Sequence, residues 1–252
     1  MIAAMICLSD TLTFEGIVNV RDLGGCTTAD GSRVRTGSIF RSATLSFASP
    51  QDLLTLRFLG IRSVLDLRTT NELDAHGPAD VDRIGATFHH LPLLTEVWDG
   101  ASFDLGIDPV QFLSARCDEI LEHNGGAIAK AVLAVVDTNG PVLLHCTAGK
   151  NRTGVLAALM LACIGVPDSV IADDYARSER SMADLVCLFE VRLPELAAGL
   201  AVQPAAFLAA PREAMLRTLT ALRWDHGGAA AFLVANGLPD SSLQRLRHCL
   251  VA

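Results

Sequence analysis

The sequence has no CxxC pair, no internal repeat, no long linker and no apolar run as wide as a bilayer. Its seven cysteines, at positions 7, 26, 117, 146, 163, 187 and 249, are odd in number and scattered. That argues against a disulfide scaffold or a zinc site and for a reducing cytoplasm. The Gly154–Val166 stretch is apolar throughout but too short to span about 30 Å of hydrocarbon, so it reads as a buried core helix. The N-terminal Met1–Leu8 is apolar yet lacks a basic flank and is too short for a secretory signal. Positive charge is also short: the formal net charge is −8. This argues against nucleic acid as a main partner, so any anionic substrate must be drawn by a local pocket, not by the global field. His89 and His90 are adjacent and point to opposite faces of a strand, so no metal pair forms there and no metal or cofactor is expected. What the chain does have is a large hydrophobic fraction, half of 252 residues, enough for one sizeable domain over residues 1–252.

The most informative stretch is Pro141-Val-Leu-Leu-His-Cys-Thr-Ala-Gly-Lys-Asn-Arg-Thr-Gly154. It predicts a buried strand over Val142–Leu144, a small-residue loop, and an apolar helix from about Arg152 to Ile164. Five residues separate Cys146 from Arg152, a spacing that lets one loop wrap a tetrahedral oxyanion. The amides of Thr147, Ala148, Gly149, Lys150, Asn151, Arg152 and Thr153 then face the anion, and the helix N-terminus adds its partial positive charge. Arg152 supplies a bidentate fork suited to phosphate. Gly149 and Gly154 permit the turn and the close backbone approach. Cysteines at helix N-termini beside basic side chains ionise readily, so Cys146 reads as a nucleophile that attacks phosphorus and forms a cysteinyl-phosphate. Lys150 adds positive charge, and the Thr153 hydroxyl can hydrogen-bond the sulfur. His145 fixes the loop backbone in preference to moving protons. The plain alternative is a structural cysteine in an ordinary strand–loop–helix joint.

The segment His145–Gly154 resembles the signature loop of the cysteine-based phosphatases. Further segments are similar to one branch, the bacterial tyrosine phosphatases of the mycobacterial protein tyrosine phosphatase B type: Asn19–Gly25, Arg41–Ala43, Asp66–Arg68 with Glu72, Asp174–Ser178 and, more generically, Gly237–Leu250. The likeness spans about residues 14–250. It implies broad protein and lipid specificity, a supporting or lining place for Arg21 at the phosphate site, and a helical lid over that site within residues 182–210. A dimer face or extra core accounts for 182–210 equally well. One departure matters. The family usually carries an aspartate immediately before the loop arginine to protonate the leaving group, and here that position is Asn151, which cannot donate as an acid.

Elsewhere, residues 34–42 read as a strand on which Arg41 either faces the core beside a carboxylate or lies on the surface. Ser49, Pro50 and Asp52 start a helix that runs to Leu59 and stops at Gly60. Ile61–Leu67 is a buried strand ending at Asp66 and Arg68, where ligands of open α/β sheets collect. Asp66 is therefore the leading candidate for the missing acid, or it pairs with Arg68 or Arg152 and orients it. Asp99, Asp104 and Asp108, on a loop-like stretch, are reserve acids. Glu72 begins a short helix. Thr87–Leu93 is a strand, and Val110–Leu121 and Ile128–Val136 are separate helices either side of Gly125-Gly126. Tyr175, the single tyrosine, packs behind the loop with its hydroxyl bound.

These readings predict a three-layer-like α/β fold, a mostly parallel central sheet flanked by helices, with a helical lid insertion. They predict phosphomonoester hydrolysis with a phosphorylated protein or a phosphoinositide as substrate and inorganic phosphate or vanadate bound in the loop. The competing class is a phosphate-binding module with little turnover because Asn151 replaces the acid. An arsenate reductase would need a second, resolving cysteine, and Cys163 lies too deep in the core helix.

Overall fold

The computed structural model describes residues 13–98 and 104–252. Five strands, β1 (Arg21–Asp22), β2 (Ile39–Ser42), β3 (Ser63–Asp66), β4 (Thr87–His90) and β5 (Val142–His145), form one sheet in the order β1-β2-β5-β3-β4. Only the β1–β2 pair is antiparallel. The three central strands show no polar alternation because helices cover both faces. Ile39, Leu65, Val142 and Leu144 enter one core cluster, while Phe40, Val64 and Leu143 enter another on the opposite side.

The first cluster is built with α4 (Pro109–Asp137), α5 (Asn151–Cys163), α6 (Asp168–Arg177), α9 (Arg212–His226), α10 (Ala229–Ala235) and α11 (Asp240–Leu250). The second is covered by α1 (Pro50–Phe58) and α3 (Val81–Ile84). A short α2 (Thr70–His76) follows β3. Two further helices, α7 (Met182–Arg192) and α8 (Pro194–Ala201), pack Met182, Leu185, Phe189 and Ala197 against Ala43, Phe47 and Ala148. The three-layer α/β expectation and the helical insertion both hold.

Strand register positions the site. Ser42 of β2 and Asp66 of β3 both stand opposite His145 of β5, so three strands end level. The residues that leave those ends, Ala43, Leu67 and Cys146, share one edge of the sheet.

Three sequence expectations change. The 34–42 strand is confined to Ile39–Ser42; Val34 instead makes an isolated bridge to Val251. The Thr87–Leu93 strand stops at His90. The two helices expected either side of Gly125-Gly126 are present but run together without a loop as α4, 29 residues long, and break only at a kink at Asn124 (φ −127°, ψ 20°). Glycine normally weakens a helix, but a Cβ on Gly125 would lie 2.1 Å from the Asn236 side chain. The glycine admits close packing against the C-terminal helices, and burial of the surrounding apolar stripe carries the helix through.

Candidate active site

The 146–152 loop leaves β5 and turns into α5, whose first residue is Asn151. The carbonyls of residues 147–150 are taken up from behind. The amide of Thr44 donates to the Thr147 carbonyl at 3.1 Å. Asn19 Nδ2 donates to the carbonyls of Ala148 (3.0 Å) and Gly149 (3.1 Å). Arg41 Nη2 donates to those of Gly149 (2.6 Å) and Lys150 (3.2 Å). In a trans peptide the N–H points opposite to the C=O. With four successive carbonyls turned back, the amides of residues 148–151 are turned forward, into a cradle for an anion.

The braces are themselves held. Asp174 on α6 pairs with Arg21 Nε at 2.6 Å and with Arg41 Nη1 at 2.7 Å. Arg21 also donates to the Asn19 side chain and to Ser178 Oγ. Burial and the neighbouring Arg41 charge hold Arg21 down to about 10, against the pull of Asp174. Burial works against the Asp174 charge, but Arg41 and Arg21 outweigh it and keep its carboxyl below the usual range. Asn19 sits at φ 60°, a left-handed conformation that asparagine tolerates better than most residues. Arg21 thus reaches the loop only through Asn19 and, by way of Asp174, through Arg41. Arg41 takes the core-facing alternative.

A cavity of about 640 Å³ opens over the loop, lined by Cys146, Thr147, Ala148, Lys150, Asn151 and Arg152. One wall is α2 and another is the 94–98 segment. The roof comes from Met182, Leu185 and Phe189 of α7, Leu196 and Leu200 of α8, and Phe207. The 182–210 stretch therefore stands over the site as a lid would.

Arg152 is gripped by Glu72, near the start of α2. Glu72 holds both ends of its guanidinium, at 2.5 Å and 2.9 Å, and accepts from the Thr147 hydroxyl. It also closes the capping box with Thr69 at the start of α2. Burial raises the Glu72 carboxyl, but Arg152, Thr147 and the Thr69 amide bring it down to about 2, so it is ionised. Burial lowers the Arg152 pKa, yet the negative charges of Cys146 and Glu72 win and push it above the usual guanidinium range. The signal for Glu72 was available as Thr69-x-x-Glu72, since a capping-box glutamate has one oxygen to spare.

Asp66 requires a correction. Its side chain is fully buried and does not line the cavity. Arg68 holds it with its Nε (2.9 and 3.1 Å), its Nη2 (2.6 Å) and its backbone amide (3.0 Å). Burial alone would raise the carboxyl; His145 and Arg68 together lower it. A buried, ionised, fully engaged carboxylate has no proton to give. Asp66 orients Arg68, which in turn holds the Ser46 hydroxyl and the Gly77 carbonyl and joins the loops around the site. Of the reserve acids, Asp104 caps its own turn, Asp108 caps α4, and Asp99 lies outside the described residues.

Lys150, one of only two lysines in the chain, lines the cavity with its ammonium already engaged. Its Nζ donates to the carbonyls of Phe207 and Ala209, and burial lowers it to about 8. It ties the loop to the roof and is not a free charge. Gly149 and Thr153 do not line the cavity either. A Cβ on Gly149 would lie 2.2 Å from the Ser42 carbonyl oxygen, so this position pins the loop to β2. The Thr153 hydroxyl is buried without a hydrogen-bond partner, so the expected bond to the sulfur is not made. His145 is fully buried, 3.7 Å from Asp66, and burial drives it down to about 4, so it stays neutral behind the loop. Tyr175 donates to Asn151 Oδ1 at 2.9 Å, and its ring fills the space a Gly154 side chain would need. Among the described residues, no group of three or more His, Cys, Asp or Glu could hold a metal.

A sequence model of the tyrosine phosphatase family matches residues 12–252. Among characterised relatives, the triple specificity protein phosphatase PtpB of Mycobacterium tuberculosis is 29% identical over 282 aligned positions, covering 94% of this chain and 97% of its own. A candidate tyrosine-protein phosphatase of Cupriavidus necator is 33% identical over 203, covering 77% and 71%. With the cradle, the cysteine and the arginine on one cavity, and the match running almost end to end, the chain belongs to the tyrosine phosphatase family.

Proposed function

We propose that this phosphatase cleaves phosphomonoesters through Cys146, with phosphotyrosine in a protein as its preferred substrate. One observation carries the reading: Cys146 and Arg152 line the same cavity, and the peptide carbonyls between them are tied back so that their amides face it. Cys146 attacks phosphorus in line, Arg152 and the amides take the equatorial oxygens as charge spreads, and water releases phosphate from the cysteinyl-phosphate.

The cavity walls support the substrate class. Leu94, Trp98, Leu185, Phe189 and Leu200 make an apolar sleeve above the cradle, suited to a phenyl ring. Among the described residues, the basic side chains on the cavity are His76, Lys150 and Arg152. Lys150 is engaged with the roof, so a substrate bearing further phosphates meets little additional positive charge. The name of the Mycobacterium tuberculosis relative, triple specificity, keeps broader phosphoester cleavage as the second reading. The six described cysteines are free thiols, which supports a reducing cytoplasm.

Acid-quenching the enzyme during turnover of a phosphotyrosine peptide should trap phosphate on Cys146. Cys146→Ser should abolish both turnover and trapping, and undiminished turnover by that variant would overturn the reading. The peptide should exceed a soluble inositol polyphosphate by at least about tenfold in kcat/KM, roughly 1.4 kcal/mol of transition-state discrimination. The reverse order would transfer the assignment to phosphoinositides.

A further inference from the structure

The geometry points to Glu96 as the general acid that protonates the leaving group. This rests on the cysteinyl-phosphate reading above and supplies the proton that Asn151 cannot. Among the described residues, the carboxylates lining the cavity are Glu72 and Glu96. Glu72 is ionised and bound at both oxygens by Arg152 and Thr147. Glu96 is solvent-exposed and has no ion pair or hydrogen bond among the described residues. It is thus the carboxyl on this cavity that is free to exchange protons with water and with a substrate.

Its backbone is fixed on both sides, as proton delivery requires. After β4 the chain stays bonded to the end of β3, through the Leu91 amide to the Asp66 carbonyl (2.9 Å) and the Leu93 amide to the Leu67 carbonyl (3.3 Å). Leu93 and Leu94 are buried. Two residues past Glu96, Trp98 Nε1 donates to Glu119 on α4 at 3.2 Å, and the Arg116 guanidinium lies over its ring at 5.6 Å. Glu96 is held between a buried leucine pair and an anchored indole, on the wall of the cavity that Cys146 also lines.

The step balances. Cys146 Sγ forms the S–P bond as the P–O bond to the leaving group breaks, and the departing oxygen takes the proton of the Glu96 carboxyl. In the second step the Glu96 carboxylate accepts a proton from water as that water attacks phosphorus. The S–P bond breaks, the thiolate returns and inorganic phosphate leaves. Acid in one half and base in the other restores the starting protonation.

The test compares wild type with Glu96→Gln, Glu96→Asp and Asp99→Asn, each on p-nitrophenyl phosphate and on phenyl phosphate, across pH. Glu96→Gln should lower kcat/KM on phenyl phosphate by about 10²–10⁴-fold, the usual worth of general acid catalysis. It should lower kcat/KM far less on p-nitrophenyl phosphate, whose leaving group needs no proton, and it should erase the basic limb of the kcat/KM profile on phenyl phosphate. Glu96→Asp should restore part of the loss with a shifted limb, which a merely structural glutamate would not do. Asp99→Asn should leave the leaving-group dependence unchanged. Equal losses of kcat/KM on the two esters with an intact basic limb, or this signature appearing in Asp99→Asn instead, would overturn the assignment. A wild-type enzyme inert toward both esters would instead sink the cysteinyl-phosphate reading beneath it.

Discussion

Glu72 binds three partners at once: it clamps Arg152, accepts from Thr147 and caps α2. Removing it by Glu72→Ala leaves a guanidinium buried beside Cys146 with no carboxylate. Breaking a buried ion pair from one side costs about 3–5 kcal/mol. The lower end applies here because both side chains keep some solvent contact, 9% and 12%. Urea unfolding checks it, and a loss below about 1 kcal/mol would show that the pair holds little. The pH sign follows from a folded pKa of about 2, below the ordinary 4.5. The pair's contribution is full above pH 4.5 and is lost as the pH falls toward 2. At this scale the strand, loop and helix that bring Cys146 and Arg152 onto one cavity were legible in the sequence, because His-Cys at a strand end, loop glycines and an apolar helix occur together there. The grip on Arg152 and the use of Lys150 were not. Both depend on chain remote in sequence, α2 for the one and residues 207–209 for the other, and no local pattern announces such a contact. Asp66 misled because the carboxyl end of a strand says where a residue sits and not what already holds it.

At the scale of elements, the buried strands and most helix limits could be read from apolar runs, caps and glycine stops. In α4 both helical halves could be read but their direct joining could not, because Gly125 is used there for packing against Asn236. Its two glycines make opposite predictions. Gly125→Ala would set a Cβ 2.1 Å from Asn236 Oδ1 and 2.4 Å from its Cγ. The whole amide must then move, losing its bond to the Phe232 carbonyl. Overpacking of this kind costs about 1–3 kcal/mol, more than the roughly 1 kcal/mol of helix propensity gained. Gly126 has nothing within 4 Å of its missing Cβ, so Gly126→Ala should stabilise by about 0.5–1 kcal/mol. Thermal unfolding of both variants should show midpoints moving in opposite directions. Gly125→Ala with Asn236→Ala should recover stability relative to Gly125→Ala alone. Midpoints that rise together would mean that Asn236 does not set the packing distance.

For the molecule as a whole, the site's back layer sets how stability responds to acid. His145 is fully buried between the end of the sheet and α5, and burial drives its pKa from 6.5 to about 4 despite the attraction of Asp66. The neighbouring Arg68 and Arg152 charges push the same way as burial. Between pH 6.5 and 4 the unfolded chain therefore binds a proton at this residue that the folded chain refuses, so stability falls as the pH drops through that window. A depression of this size corresponds to about 3 kcal/mol, complete by about pH 4. The carboxylates with lowered values, Asp30, Asp66, Glu72 and Asp174, begin to contribute only below their ordinary values of 3.8 to 4.5. Acid unfolding should thus have two phases, the first due to one imidazole. His145→Gln should flatten the unfolding free energy between pH 6.5 and 4 and leave the phase below 4 in place. The slope decides the matter and the absolute stability of the variant does not, because the substitution also changes packing. An unchanged slope in that window would mean that another group takes up the proton and that His145 is not the acid-sensitive joint behind the phosphate loop.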